Sequence, residues 1–167
     1  MLNTDHPRVA GHVAWVLTRA DGTTEFGEAD NLVTLIGLRR YAEAGADIGG
    51  VPPAATGMKL GTGSTAPATT GAGAALATYL SNSHQALAGT PSASTVSGKR
   101  RITYVATWGA GKATTGSAIT EVVIVNNSLS DATSPEASTL ARVLLSPSVP
   151  SKGALDTLQV TWTHDLG

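Results

Sequence analysis

Apolar and polar residues alternate most clearly in the last third of the chain. In residues 101–108 the even positions are Ile, Tyr, Ala and Trp, whereas the odd positions are Arg, Thr, Val and Thr. Residues 157–163 alternate in the same way, with Leu, Val and Trp between Thr and Gln residues. Because successive side chains of a β-strand point to opposite faces, this period of two predicts strands with one buried and one wetter face.

Other apolar stretches complete a strand-rich pattern. Residues 119–125 and 139–145 are apolar on much of both faces, which is typical of central strands. An alternating segment over 9–18 precedes the turn signal Ala20-Asp-Gly22 and a returning strand over 23–27. Shorter strands are predicted by the segments at 58–63, 85–87 and 94–96. The tryptophans lie on the apolar faces of their strands, so we expect them in the core; they are Trp15, Trp108 and Trp162.

The period changes to that of a helix in one place. Five apolar residues fall on one helical stripe, namely Leu32, Leu35, Ile36, Leu38 and Ala42. They predict one short α-helix over residues 32–44, which Gly45 would end. The segment 74–80 is compatible with a second, short helix.

These elements predict a mainly β protein, an antiparallel β-sandwich of jelly-roll type with one helix. The chain of 167 residues is most simply one domain. We assign residues 1–8 to a flexible N-terminal arm and residues 9–167 to a single β-sandwich domain. Residues 64–97, rich in Ala, Gly, Ser and Thr, form a long polar excursion from it.

Composition narrows the possible partners. Charged residues make up only 14% of the chain, and the formal net charge is −1. This balance gives no electrostatic reason to expect nucleic acid or an anionic membrane as a partner. The absence of cysteine excludes disulfides, thiolate zinc sites and cysteine nucleophiles. We find no apolar run of signal-peptide or membrane-span length.

No segment of the sequence matches the full pattern of a nucleotide-binding or catalytic motif. The run Gly109-Ala-Gly-Lys-Ala-Thr-Thr-Gly116 departs from a phosphate-binding loop, because Ala106 stands where its first glycine belongs and Ala113 where Ser or Thr belongs. The segment Gly61-Thr-Gly63 likewise lacks the third glycine of a dinucleotide fingerprint. There is no Gly-x-Ser-x-Gly elbow.

Single ionisable residues add no catalytic pattern. Four scattered histidines show no metal-ligand spacing; they are His6, His12, His84 and His164. Glu121 is the one acid within a predicted central strand, where a salt bridge or an interface is the expected role. We therefore expect a protein that is not an enzyme and has no cofactor, metal or small-molecule substrate.

Several segments resemble β-rich virion proteins of tailed bacteriophages. The first is Met58-Lys-Leu-Gly-Thr-Gly-Ser-Thr-Ala-Pro67, a short strand that runs into polar residues and Ala-Pro. The later order is also similar, with an alternating strand, then Ile-Thr-Glu-Val over 119–122 and Leu-Ala-Arg-Val-Leu-Leu-Ser-Pro147. The last predicted strand, Leu158-Gln-Val-Thr-Trp-Thr-His164, resembles the final strand of such proteins. The family includes capsid decoration (cement) proteins and collar, tail, fibre and baseplate components, none of which implies catalysis.

The resemblance and the low charge favour the same function. We expect a non-enzymatic virion structural protein, a capsid decoration or cement protein that bridges and stabilises major capsid subunits. It would be made in the host cytoplasm, would form a homo-oligomer and would contact the major capsid protein or other virion proteins. A tail, collar or fibre component is the alternative within this class, and a carbohydrate-binding β-sandwich module is the alternative from another class.

Loop and surface position suggests the residues that would contact a partner. The basic pairs Arg39-Arg40 and Lys99-Arg100 lie at a helix face and a strand start, where acidic neighbours could meet them. The remaining candidates lie in predicted loops and are Thr65, Pro67, Lys112 and Lys152. Catalytic, cofactor-binding and metal-ligating residues are not predicted.

Overall fold

The fold was determined as a computed structural model, which describes residues 9–126 and 129–167. The predicted N-terminal arm at 1–8 lies outside the described residues. The elements in chain order are β1 Val9–Thr18, β2 Thr24–Val33, α1 Leu35–Gly45, β3 Gly57–Gly61, β4 Gln85–Ala86, β5 Ser92–Val96, β6 Lys99–Trp108, β7 Ile119–Val125, β8 Thr139–Val149 and β9 Thr157–Leu166. Short 3-10 turns occur at Gly71–Ala74 and Glu136–Ser138. For the described residues, the mainly β class with one α-helix is confirmed.

The described strands form a single antiparallel sheet in the order β4-β3-β7-β8-β2-β1-β9-β6-β5. β2 links its two halves, because it pairs with β1 from Asn31 back to Thr24 and with β8 only at Leu32 and Val33. The sheet curls into a half-barrel. The predicted two-sheet sandwich is therefore not confirmed, since β2 passes from one half to the other and makes the sheet continuous.

The concave face of the curled sheet holds the main hydrophobic core. Buried side chains from both halves pack together, among them Leu17 from β1, Leu60 from β3 and Val122 from β7. All three tryptophans are buried in this core, which confirms the prediction from their strand phase. The two ends of the sheet also approach each other, because Ala88 N donates to Val105 O at 2.8 Å. The half-barrel thus has a filled interior.

Helix α1 begins three residues later than predicted. Leu32 and Val33 belong to β2, where they pair with Arg142 and Ala141 of β8. Thr34 then caps the helix, because its hydroxyl accepts a hydrogen bond from Gly37 N at 3.2 Å. At Gly37 the helix packs directly on the β8 backbone, and a Cβ there would lie 2.0 Å from Leu140 O.

The suggested second helix at 74–80 is wrong. Only Gly71–Ala74 is helical there, as a 3-10 turn. The backbone amides that follow bond to other parts of the chain: Leu76 N donates to Ser134 O at 3.0 Å, and Leu80 N donates to Leu60 O at 2.9 Å. These contacts hold the segment extended over the outer face of the sheet.

Candidate functional site

Seven of the eight predicted interface residues are at least partly exposed, and they lie on four separate parts of the chain. Arg39 and Arg40 are on α1, Lys99 and Arg100 open β6, Thr65 and Pro67 lie in the excursion, and Lys112 lies between β6 and β7. Several already bond within the chain: Arg39 Nε donates to Glu43 Oε1 at 2.6 Å, and Lys112 Nζ donates to Asn82 Oδ1 at 3.0 Å. An interface role for these seven stays a prediction.

Lys152 differs from its predicted place on the surface. Its side chain is buried, and its ammonium donates to Gly109 O at 3.0 Å. Its own carbonyl accepts from Thr115 N at 2.9 Å, so the residue ties the β6–β7 loop to the β8–β9 loop. Burial lowers the pKa of this ammonium. Lys152 therefore holds loops together and offers no side chain to a partner.

Two buried charged residues fix the excursion on the outer face of β7 and β8. Arg142 donates to Glu121 Oε2 through Nη2 at 2.7 Å and through Nε at 3.2 Å, and both side chains have no exposed surface. Arg142 also donates to Gly73 O at 3.1 Å. The Glu121 carboxylate accepts further bonds, between 2.7 and 3.1 Å long, from the backbone amides of Gly63, Ala77 and Thr78. Of the two roles expected for Glu121, a salt bridge or an interface, the salt bridge is confirmed, and the carboxylate has partners on both oxygens.

A groove opens on the outer face where the two halves of the sheet separate. β2 pairs with β8 only at Leu32 and Val33. Nearer the start of β2, the buried Trp15 indole donates to Pro147 O of β8 at 3.2 Å. The ring lies against Gly27, where a Cβ would come within 2.7 Å of it. The groove has a volume of about 520 Å³, and Phe26 on its rim is 78% exposed.

Phe26 is a candidate interaction residue that the sequence analysis missed. It is the single phenylalanine of the chain and the one strongly exposed aromatic residue among those described. The signal that could have identified it is its strand phase. Phe26 shares a face of β2 with Glu28 and Asp30, and both of these charged residues are exposed.

A second buried polar cluster lies beneath α1, near the start of β6 and the end of β9. His164 Nε2 accepts from Trp162 Nε1 at 3.0 Å, and it is 3.1 Å from Asn31 Nδ2. Because an indole N–H can only donate, Nε2 must be unprotonated, which places the single proton of the neutral ring on Nδ1. That atom is 2.5 Å from Tyr41 Oη, which in turn is 2.8 Å from Tyr104 Oη.

Burial sets the ionisation of this cluster. Burial lowers the pKa of His164 to about 4, although the negative charge of Asp165 acts to raise it. Burial also raises the pKa of Tyr41 and of Tyr104, while the positive charge of Arg40 lowers both. At neutral pH the imidazole and the two phenols are therefore uncharged.

The two tyrosines and His164 line a cavity of about 300 Å³ between α1 and the sheet. Its other polar side chain is Arg40 of α1, which donates to Pro52 O at 3.2 Å. Most of the remaining wall is apolar and includes Ala55, Pro91, Ile102, Ile124 and Leu140. Apolar cavities with a few convergent polar groups are typical of small-molecule sites.

Residues 9–126 and 129–167 contain no group of three or more His, Asp or Glu side chains placed to hold a metal ion. In the same ranges, no helix has the length and apolar character needed to cross a membrane.

Comparison with known proteins gives no relative: no protein-family model, no curated protein and no solved structure matches this chain.

Proposed function

We propose that this chain is a non-enzymatic structural protein of a tailed-phage particle, and specifically a capsid decoration protein that bridges major capsid subunits. The observation that carries the proposal is the exposure of Phe26 beside the groove between β2 and β8. A chain with seven aromatic residues leaves its one phenylalanine in solvent, although burying that ring would stabilise the fold. Exposed apolar residues beside a groove are typical of surfaces that bind another protein.

The surroundings of Phe26 suit such a contact. Val16 lies directly opposite it on β1 and is 40% exposed, so the two side chains form one apolar patch. Glu28 and Pro147 complete the groove. Aromatic residues that enter a partner's pocket contribute much of the binding energy of protein interfaces. In this proposal the facing halves of the sheet serve as the two layers of the predicted jelly-roll sandwich, and the outer face meets the capsid.

The other functions proposed from sequence have less support. A tail, collar or fibre component would use the same surface and differs only in its place in the particle. A carbohydrate-binding module needs several aromatic rings on an open face, but the three tryptophans are buried. Phe26 alone would have to supply the sugar platform.

The copy number of the protein in purified particles from its source tests this proposal. Quantitative mass spectrometry against the major capsid protein should give a near-stoichiometric ratio. A few copies per particle would instead assign the protein to the tail or collar. Absence from the particles would refute the virion proposal.

A pair of variants tests the role of Phe26. Phe26→Ser should lower the occupancy of the protein on particles at least about tenfold. Truncating an interface anchor commonly lowers the binding free energy by about 2 kcal/mol or more. The matched control is Leu155→Ser, which changes a side chain that is 73% exposed in the β8–β9 loop. Unfolding curves should show that both variants keep their stability. Equal occupancy of the two variants would contradict an anchor role for Phe26.

A further inference from the structure

We propose that the cavity beneath α1 binds a small carboxylic acid with an apolar body, in its ionised form. This inference is independent of the virion proposal, because it uses a different region of the molecule. It rests on the shape of the cavity, on a hydroxyl proton without a protein acceptor, and on the charge of Arg40.

The shape of the cavity selects a small apolar body. Its volume of about 300 Å³ lies at the lower end of the range for ligand pockets. Ile102, Ile124 and Leu140 approach it from three different strands, β6, β7 and β8. A compact ring or a short branched chain would replace water against these side chains, which is favourable for apolar surface.

The hydroxyl groups provide a donor for an acceptor atom. His164 Nδ1–H and the hydroxyls of Tyr41 and Tyr104 carry three protons, but the atoms make only two contacts with one another. Each contact uses one proton, so one hydroxyl proton is left over. Among the described residues neither hydroxyl makes a further hydrogen bond, and both tyrosines line the cavity. A buried donor without a partner destabilises the fold, and a ligand oxygen that accepts from it would remove this cost.

The charge of the cavity favours an anion over a neutral acceptor. Arg40 is its one charged lining residue at neutral pH, and no acidic side chain lines it. The hydrogen bond to Pro52 O uses one of the five N–H donors of the guanidinium, which leaves others for a ligand. Arginine also has the geometry to bind a carboxylate through two parallel hydrogen bonds. A carboxylate between Arg40 and the tyrosines would thus meet both kinds of donor.

Binding of benzoate to the full chain tests the proposal, with benzamide as the neutral compound of the same shape. Isothermal titration calorimetry at neutral pH should show saturable binding of benzoate with one site per chain. Benzamide should bind at least about tenfold more weakly, because charge-assisted hydrogen bonds are the stronger ones.

Variants of two neighbouring arginines locate the site. Arg40→Met removes the charge that lines the cavity and should weaken benzoate binding at least about tenfold. Arg39→Met is the matched control, because Arg39 precedes it on α1, pairs with Glu43 and does not line the cavity. This control should change the affinity less than twofold, roughly. Tyr104→Phe should cause a smaller loss, about threefold, since Tyr41 still carries a hydroxyl.

Specific outcomes would overturn the inference. They are the absence of saturable benzoate binding up to about 10 mM, equal affinity for benzoate and benzamide, or equal effects of Arg40→Met and Arg39→Met. Thermal unfolding of each variant identifies any that does not fold. If Tyr104→Phe fails to fold, the arginine pair alone decides the result.

Discussion

Two buried polar clusters among the described residues differ in how completely their hydrogen bonds are satisfied. In the first, the Glu121 carboxylate accepts five bonds, two from Arg142 and three from backbone amides. In the second, the chain of His164, Tyr41 and Tyr104 has one proton more than it has contacts. Asn31 Oδ1, next to His164, is also buried without a partner among the described atoms. The first cluster is closed by the protein, and the second is open to a cavity.

The difference separates a structural role from a binding role. In the first cluster every guanidinium nitrogen of Arg142 and both carboxylate oxygens of Glu121 have a protein partner, and these bonds already join the excursion to the sheet. An incompletely paired cluster beside a cavity has capacity to spare. Burial alone would not distinguish them, because Glu121 and His164 are both buried. The number of unsatisfied donors and acceptors does.

Breaking the closed cluster should have the largest effect on stability. Arg142→Met leaves the Glu121 charge buried without its ionic partner, and we expect the free energy of unfolding to fall by about 3–5 kcal/mol. Urea denaturation followed by tryptophan fluorescence measures this loss. Adding Glu121→Gln to the variant should restore part of it, because the unpaired charge is then gone.

The matched control for this prediction is an exposed ion pair. Arg39→Met breaks the pair with Glu43 on the surface of α1, where we expect a loss of at most about 0.5 kcal/mol. If Arg142→Met proved as mild as Arg39→Met, the first cluster would not be the closed structural unit described above.

Acidification should destabilise the protein through the second cluster, by an amount between the effects of Arg142→Met and Gly37→Ala. Burial lowers the pKa of His164 to about 4, whereas in the unfolded chain it is about 6.5. Between these values the unfolded chain binds a proton at His164 and the folded chain does not. Stability therefore falls as the pH falls through this window, by about 3 kcal/mol in total.

Several groups face His164 and bear on this titration. Tyr41 of α1 and Tyr104 of β6 contact the ring, and Asp165 beside it favours the charged form. Urea denaturation at a series of pH values gives the free energy of unfolding at each pH. This free energy should fall more steeply with decreasing pH in the native protein than in His164→Gln, which keeps every other ionisable group. The interval from about pH 6.5 to 5 is the most informative, because the lowered pKa values of Asp156 and Asp165 place their effects at lower pH. Equal slopes would mean that His164 can be charged inside the fold.

Much of the fold followed from the sequence, because alternation reports burial directly. The segments at 9–18, 101–108 and 157–163 have one apolar face, and each forms a strand with that face in the core. The continuity of the sheet could not be foreseen. It depends on the pairing of Leu32 and Val33 with β8, which no local pattern encodes.

The two polar clusters depend on contacts that are distant in sequence. Tyr41 and His164 meet across 123 positions, so their proximity follows only from the placement of α1 over β9. The pairing of Glu121 with Arg142 requires the register of β7 and β8, which contains irregular steps. Lys152 was mistaken for a surface residue because its segment is rich in Pro, Ser and Gly, as solvated turns are.

The smallest effect is expected where α1 covers the open cluster. At Gly37 an added Cβ would lie 2.0 Å from the backbone oxygen of Leu140, so the helix or β8 must shift. Gly37→Ala should therefore destabilise the protein by about 1–3 kcal/mol, despite the better helix propensity of alanine. The control is Gly45→Ala at the end of the same helix, where an added Cβ meets nothing within 4 Å. This control should be neutral or stabilising by up to about 1 kcal/mol. Thermal unfolding of the pair measures the difference. If Gly37→Ala proved as stable as Gly45→Ala, α1 would not be held against β8, and the cavity beneath it could change its shape.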